Sequence, residues 1–354
     1  MVRLSRAEAQ ERNRAKVLAA ARAEFAERGF REARIDDIAD RAELTRGAVY
    51  SNFPGKRALY FAVLADLAER TPVIPADEPA LTVREALGEV ARAWVTRLPL
   101  ATDDERGPSM LGMHLMPEIL ADEVTRTAYA QLMSLNAVLL GLALERLRPP
   151  KEPDGRLVRL AEAVLTVLQG AGQLSAAAPG FVEPFNVIRV CEQLAGLDLG
   201  DRWAVAPLLP RVRETDEPWS PPSGAVDAVG GGPARPERDG VVAVLGLHRL
   251  SAAEEAVRGT PPDAEVTVVV VTGAPKELLP LARLVIAEVC TCLRQAFPRP
   301  AWPRLRVVFD ESGALAAAAG VTEPLDGTEV ALRVRAGRVV RRAEGYGACH
   351  AATR

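Results

Sequence analysis

The stretch from Arg34 to Phe53, RIDDIADRAELTRGAVYSNF, permits few folds. Ile35, Ile38, Ala39 and Ala42 recur at helical spacing, which leaves Asp36, Asp37, Asp40 and Arg41 in water. Glu43-Leu44 breaks the pattern. Thr45 then offers a capping side chain to a second short helix, Arg46 to Tyr50, whose small Gly47 and Ala48 allow close approach to another surface. Helices this short do not stand alone, so their flanks must hold them. Arg12 to Arg28 carries Val17, Leu18, Ala21, Phe25 and Ala26 along one face, and Lys56 to Arg70 carries Leu59, Val63, Leu64 and Leu67. The expected unit is a small bundle that presents its second short helix outward, a helix-turn-helix.

Residues 12 to 70 resemble the DNA-binding domain of the TetR family of transcriptional regulators. The carriers are AAARAEFAERGF (19 to 30), IDDIADRAEL, TRGAVYSNF (45 to 53) and the helix start at Lys56 to Leu59, all in register. The resemblance implies that Thr45, Arg46 and Gly47 face base edges in the major groove. It implies that Tyr50 and Lys56 hold phosphates, with Asn52 and Arg34 as auxiliaries; family members usually carry His where this chain has Asn52. The chemistry agrees. A guanidinium can donate two bonds to guanine, whereas hydroxyl and ammonium groups fix register without reading sequence. Phe53 is expected in the core. Arg3, Arg6 and Arg12, beside Glu8 and Glu11, make either a basic arm or a solvated helix start.

A helical domain is expected over 71–199. Leu87, Val90, Ala91, Trp94, Val95 and Leu98 share one helical face, and a long helix is expected from Glu118 towards Arg148, stopped by Pro149-Pro150. Two further helices, 156–178 and 184–195, carry more apolar width than a single core needs. The family resemblance makes them the dimer interface, as a four-helix bundle with their copies. A twofold homodimer then implies double-stranded DNA with a near-palindromic operator. The central helices are expected to enclose a small, largely apolar effector, with Trp94, Met110, Met113, His114, Met116, Tyr129 and Met133 as candidate lining. The resemblance further implies a repressor released by that ligand.

A typical member of that family would end near Leu199, so a chain of 354 residues needs a further domain. Residues 200–240 read as a linker rich in Pro and Gly, with Trp203, Leu208, Leu209 and Trp219 docking its first half. From 241 to 354 the hydrophobic period changes. VVAVL, VTVVVV and LRVVF are short strands of buried type, Lys276 to Phe297 is a helix, and Glu329 to Val334 pairs with Arg338 to Arg342 in a hairpin. The fold class is therefore mainly α over the N-terminal two-thirds, followed by an α/β domain. That domain resembles a thioredoxin-like fold, with Pro324 ahead of the hairpin and Thr272-Gly273-Ala274-Pro275 at the loop where redox members carry cysteine.

Four cysteines form no metal-type pair; Cys290 is expected as a buried hydrophobe, Cys292 on another helix face, and Cys349 in an exposed tail beside His350. The competing expectation is a redox sensor or thiol–disulfide enzyme acting through this domain, which the missing loop cysteine argues against. No phosphate loop, triad or metal cluster is read, so no enzyme activity and no cofactor are expected. A net charge of −3 confines any nucleic-acid contact to a local patch. No signal peptide is read and no apolar run near eighteen residues free of charge, so a cytoplasmic soluble protein is expected.

Overall fold

The computed structural model describes residues 6–73, 80–99, 111–148, 155–201, 209–261 and 264–354. Met110, Trp203 and Leu208 lie outside the described residues, as does Arg3.

The first four helices are α1 (Arg6–Glu32), α2 (Ile35–Arg41), α3 (Arg46–Asn52) and α4 (Lys56–Arg70). Gly29, at φ 73°, breaks α1 near its end. Thr45 caps α3 by accepting the Ala48 amide at 3.2 Å, as its hydroxyl is suited to do. Val17, Phe25, Ile38, Val49, Phe53, Leu59 and Tyr60 are buried together, so Phe53 is a core aromatic. Phe25 meets Tyr60 edge-on at 5.6 Å.

The helical body follows as α5 (Val83–Val95), α6 (Leu115–Leu120), α7 (Glu123–Glu145), α8 (Val158–Ala177) and α9 (Pro184–Leu194). Thr82 and Glu85 form a capping box on α5. The long helix expected from Glu118 is two helices instead. Asp122 is the reason: it leaves helical geometry and its carboxylate accepts the Thr125 amide at 2.8 Å, starting α7 afresh. A Cβ on Gly141 would lie 3.0 Å from the Val158 backbone, so this glycine lets α7 and α8 pack closely. Thr127 to Leu144 carries no charge, contrary to the sequence expectation, and α7 is apolar and long enough to cross a membrane. It is largely buried inside the protein and serves as a core helix.

The α/β domain comprises β1 (Arg213–Pro218), β2 (Gly240–Gly246), α10 (Ala252–Gly259), β3 (Glu265–Val271), α11 (Pro275–Ala296), β4 (Leu305–Phe309), α12 (Ala314–Ala318), β5 (Glu329–Arg335), β6 (Arg338–Glu344) and α13 (Ala348–Thr353). The sheet order is β1-β6-β5-β2-β3-β4. Its β2, β3 and β4 are parallel, while β5 is antiparallel to β2 and β6. The hairpin therefore joins β2, and β3, which runs into Thr272, has parallel neighbours on both sides. Residues 209–240 are not a plain linker. β1 extends the sheet against β6, and Trp219 is buried with its indole N–H donating to the Pro236 carbonyl at 2.9 Å.

Side chains alternate across the sheet. Val241, Ala243, Leu245, Val268 and Val270 face one core, while Val242, Val244, Val269 and Val271 face a second with Trp219 and Leu315. The first core is continuous with that of the helix-turn-helix and the body. Helix α11 makes the join, packing against α4, α5 and α7. The Asn136 amide of α7 donates to the Val285 carbonyl at 3.0 Å in the buried interior.

Candidate nucleic-acid interface

On α3, Thr45, Arg46, Gly47, Tyr50 and Ser51 are exposed, while Val49 and Asn52 point inward. Helical spacing produces this division, because Val49 faces the core that also buries Ile38 and Phe53. Arg46 folds back over its own helix. Its guanidinium lies 3.3 Å from Asp36, 3.5 Å from the Tyr50 hydroxyl and 5.5 Å from the Tyr50 ring centroid. These exposed contacts are weak and exchangeable, so the side chain can leave them at little cost.

Two expected contacts sit differently. Asn52 is 7% exposed, and its amide donates to the Ala48 carbonyl at 2.9 Å, so the structure takes it off the presented face. Lys56 caps the end of α1 by donating to the Arg31 and Ala33 carbonyls at 3.0 and 3.2 Å, with its ammonium 4.7 Å from the Phe30 ring centroid. Arg34 is exposed at the N-cap of α2. Sequence reasoning missed Lys276. Its ammonium donates to the Ser51 carbonyl at 3.0 Å, so the α/β domain touches the end of α3. No local pattern announces a contact across that separation.

The rear of the unit is clamped. Arg57, on the first turn of α4, pairs with Asp122 and, at 2.6 Å, with Glu277 of α11. Arg283 of α11 holds both oxygens of Glu69 at 2.8 Å and Glu311 at 2.7 Å. These bridges fix α4 to the body and to the α/β domain together.

None of the described residues proposed to line an effector pocket lines either of the two cavities below. Trp94 is buried in the core; Met116, Tyr129 and Met133 pack against it; Met113 is exposed. His114 lies 6.1 Å from Phe30, and burial, with Arg31 adding to it, lowers its basicity. Two sizeable cavities lie elsewhere, at the junction of the helix-turn-helix with α11, with volumes of about 640 and about 800 Å³. The expectation for the cysteines also changes. All four are free and buried. Cys349 sits inside α13 rather than in an exposed tail, and burial pushes its thiol far up. Burial raises Cys290 to about 12 and Cys292 to about 11, so neither presents a thiolate at neutral pH.

An outward short helix, capped and backed by three others, defines a helix-turn-helix DNA-binding domain. Residues 17–63 match the family model of bacterial regulatory proteins, tetR family, so this N-terminal unit is a tetR-type DNA-binding domain. Among solved structures, the chain is similar to a TetR transcriptional regulator from Rhodococcus sp. RHA1, at 18% identity over 53% of this chain and 95% of that one, with a TM-score of 0.33. It is similar to NalD, the secondary repressor of the MexAB-OprM multidrug efflux pump in Pseudomonas aeruginosa, at 21% identity over 52% and 95%, TM-score 0.33. A transcriptional regulator from Saccharomonospora viridis in complex with choline matches at 16% over 51% and 93%, TM-score 0.35. Scores this low establish no shared fold across the chain. A comparison with the curated proteins returned no match.

Proposed function

We propose that this protein is a sequence-specific transcriptional regulator that binds a near-palindromic operator as a homodimer. The observation that carries the reading is the presented face of α3, with Arg46 held only by exchangeable partners above an ordered tetR-type scaffold. The proposed readers are Thr45, Arg46 and Gly47, with Tyr50 and Arg34 on phosphates. Lys56 can join them through the proton its two carbonyls leave free. Dimerisation through α8 and α9 is supported by Leu174, Phe181, Phe185 and Val190, large apolar side chains left exposed there; Phe181 and Phe185 are each 74% exposed. Repression and release by a small molecule are proposed from the family resemblance, with ligand favouring the spacing of the two α3 helices that does not fit DNA.

The α/β domain is proposed as a module that holds the DNA-binding unit. A thioredoxin-like origin is supported by its β–α–β crossovers and its terminal hairpin and helix. Its three buried thiols, Cys290, Cys292 and Cys349, favour no redox role, and we assign the domain no catalysis.

Selection of the purified protein on a random duplex library tests the reading. A palindrome should emerge. Arg46→Ala should relax its preference at one position per half-site, by roughly 1–3 kcal/mol of discrimination. Tyr50→Phe should weaken binding about equally on all sequences. No enrichment, or an unchanged motif in Arg46→Ala, would overturn the assignment.

A further inference from the structure

The smaller cavity, about 640 Å³, opens between α11, residues 222–231, the β4–α12 loop and the last turn of α4. That volume suits a small organic ligand. Ala287, Val308, Phe309 and Leu315 give it an apolar wall. Arg294 lines it, and its Nε is buried with no hydrogen-bond partner among the described residues. That nitrogen has almost no accessible surface, so it is the remainder of the side chain that lines the cavity, where an acceptor would give the guanidinium a partner.

The carboxylates lining the cavity already have their donors. Asp227 accepts from the Val229, Gly230 and Val307 amides at 3.1, 2.9 and 3.1 Å and from Arg306 at 2.9 Å. Asp310 accepts from the Ala316 amide at 2.8 Å and the Ser312 hydroxyl at 3.4 Å. Glu69 and Glu311 share Arg283. Arg294 is the group left wanting a partner.

The geometry points to a second small-molecule site here, which takes an organic monoanion with an apolar body: its charge meets Arg294, and its presence competes for the Arg283 clamp on α4. Glu69 belongs to α4 and Glu311 to the wall of the cavity, so a carboxylate that draws Arg283 inward loosens the last turn of α4 from α11. This site is separate from the effector space expected among Trp94, Met113 and Tyr129. Its regulatory consequence rests on the DNA-binding reading above, while its binding does not.

Benzoate on the full-length protein is the probe, with benzamide as the neutral control and benzamidine as the cationic one. Calorimetry should show saturable benzoate binding, weaker benzamide binding, and loss of the benzoate signal in Arg294→Gln. Ala314→Trp fills the cavity from an exposed position and should also abolish it, which covers the case in which Arg294→Gln does not fold. Hydrogen exchange of the α4 amides should quicken on benzoate addition, a readout that needs no operator. Absent binding at millimolar benzoate, benzamide binding as tight as benzoate, or benzamidine binding that survives Arg294→Gln would each overturn the site. Specific benzoate binding with unchanged α4 exchange would overturn the coupling.

Discussion

The front and back of the helix-turn-helix are built on opposite principles. Along α3 the polar side chains stand in water, and Arg46 is shared among Asp36 and Tyr50 at 3.3 and 3.5 Å. Along α4, Ala58 through Ala65 are buried, and the charged residues at either end, Arg57 and Glu69, are tied into α11 and the body. The front is made for exchange of partners and the back for keeping an angle. On the proposed reading DNA replaces what Arg46 touches, whereas nothing in that reading requires α4 to let go. In this chain the helix that backs α4, α11, belongs to a domain that follows the helical body in sequence.

The largest test of that contrast lies in the shared core. Leu284→Ala on α11 removes a buried side chain and should cost about 2–5 kcal/mol. Because one core runs from the helix-turn-helix to the sheet, the loss should appear in a single unfolding transition. Trp94 reports the body and Trp219 the far face of the sheet, so urea unfolding of variants retaining one or the other should give coincident midpoints. Separate midpoints would show that the α/β domain is an appendage.

Next comes acid–base behaviour at the same junction. Burial pushes the Glu288 carboxyl on α11 up to about 7, with Arg97 pulling against it. Tyr129 faces the same carboxylate. The folded chain therefore keeps a proton that the unfolded chain gives up near 4.5, so stability should fall as pH rises from that value through 7. The full effect is at most about 3 kcal/mol. Glu288→Gln should flatten the slope while leaving stability near pH 5 close to the parent. A slope that persists in Glu288→Gln removes this residue from the account.

Much of the front could be read from the sequence, and little of the back. Val17 to Leu64 carries its own helical periods, its Thr45 cap and its break at Glu43-Leu44, all of which are local signals. The strands VVAVL, VTVVVV and LRVVF were legible for the same reason, since β-branched runs this short fit a covered sheet. Docking was not. The Asn136–Val285, Lys276–Ser51 and Arg283–Glu69 contacts join residues far apart in sequence, and helical periodicity gives α11 an apolar face without naming its partner. Asn52 looked like a donor by residue type and proved to be spent on its own helix. Cys349 and His350 looked like a tail because α13 is too short to leave a period.

The clamps themselves should matter less to stability than the core. Arg57→Ala breaks the bridges to Asp122 and Glu277, both part-exposed, and should cost about 1 kcal/mol in urea unfolding. Its stronger signature is angular. Hydrogen exchange should quicken at the start of α4 while the α3 amides, held by the Thr45 cap, stay as they were. Faster exchange confined to α3 would reverse the roles given to front and back.

The smallest effect is expected at the turn between α2 and α3. Glu43 sits at φ 55°, in the left-handed region that a glycine occupies without strain. Its carboxylate lies 3.6 Å from Lys16, but both groups are well exposed, so that pair contributes little. Glu43→Gly relieves the strain and at the same time loosens the unfolded chain, two terms of opposite sign that should leave a net gain of about 0.5 kcal/mol. The turn connects the two helices, while on the proposed reading their angle is set at the α4–α11 junction. Operator preference should therefore be unchanged in Glu43→Gly while it shifts in Arg57→Ala. If the glycine variant loses sequence preference despite its stability, the angle of α3 is governed by its own turn, and the back of the unit does no more than hold it in place.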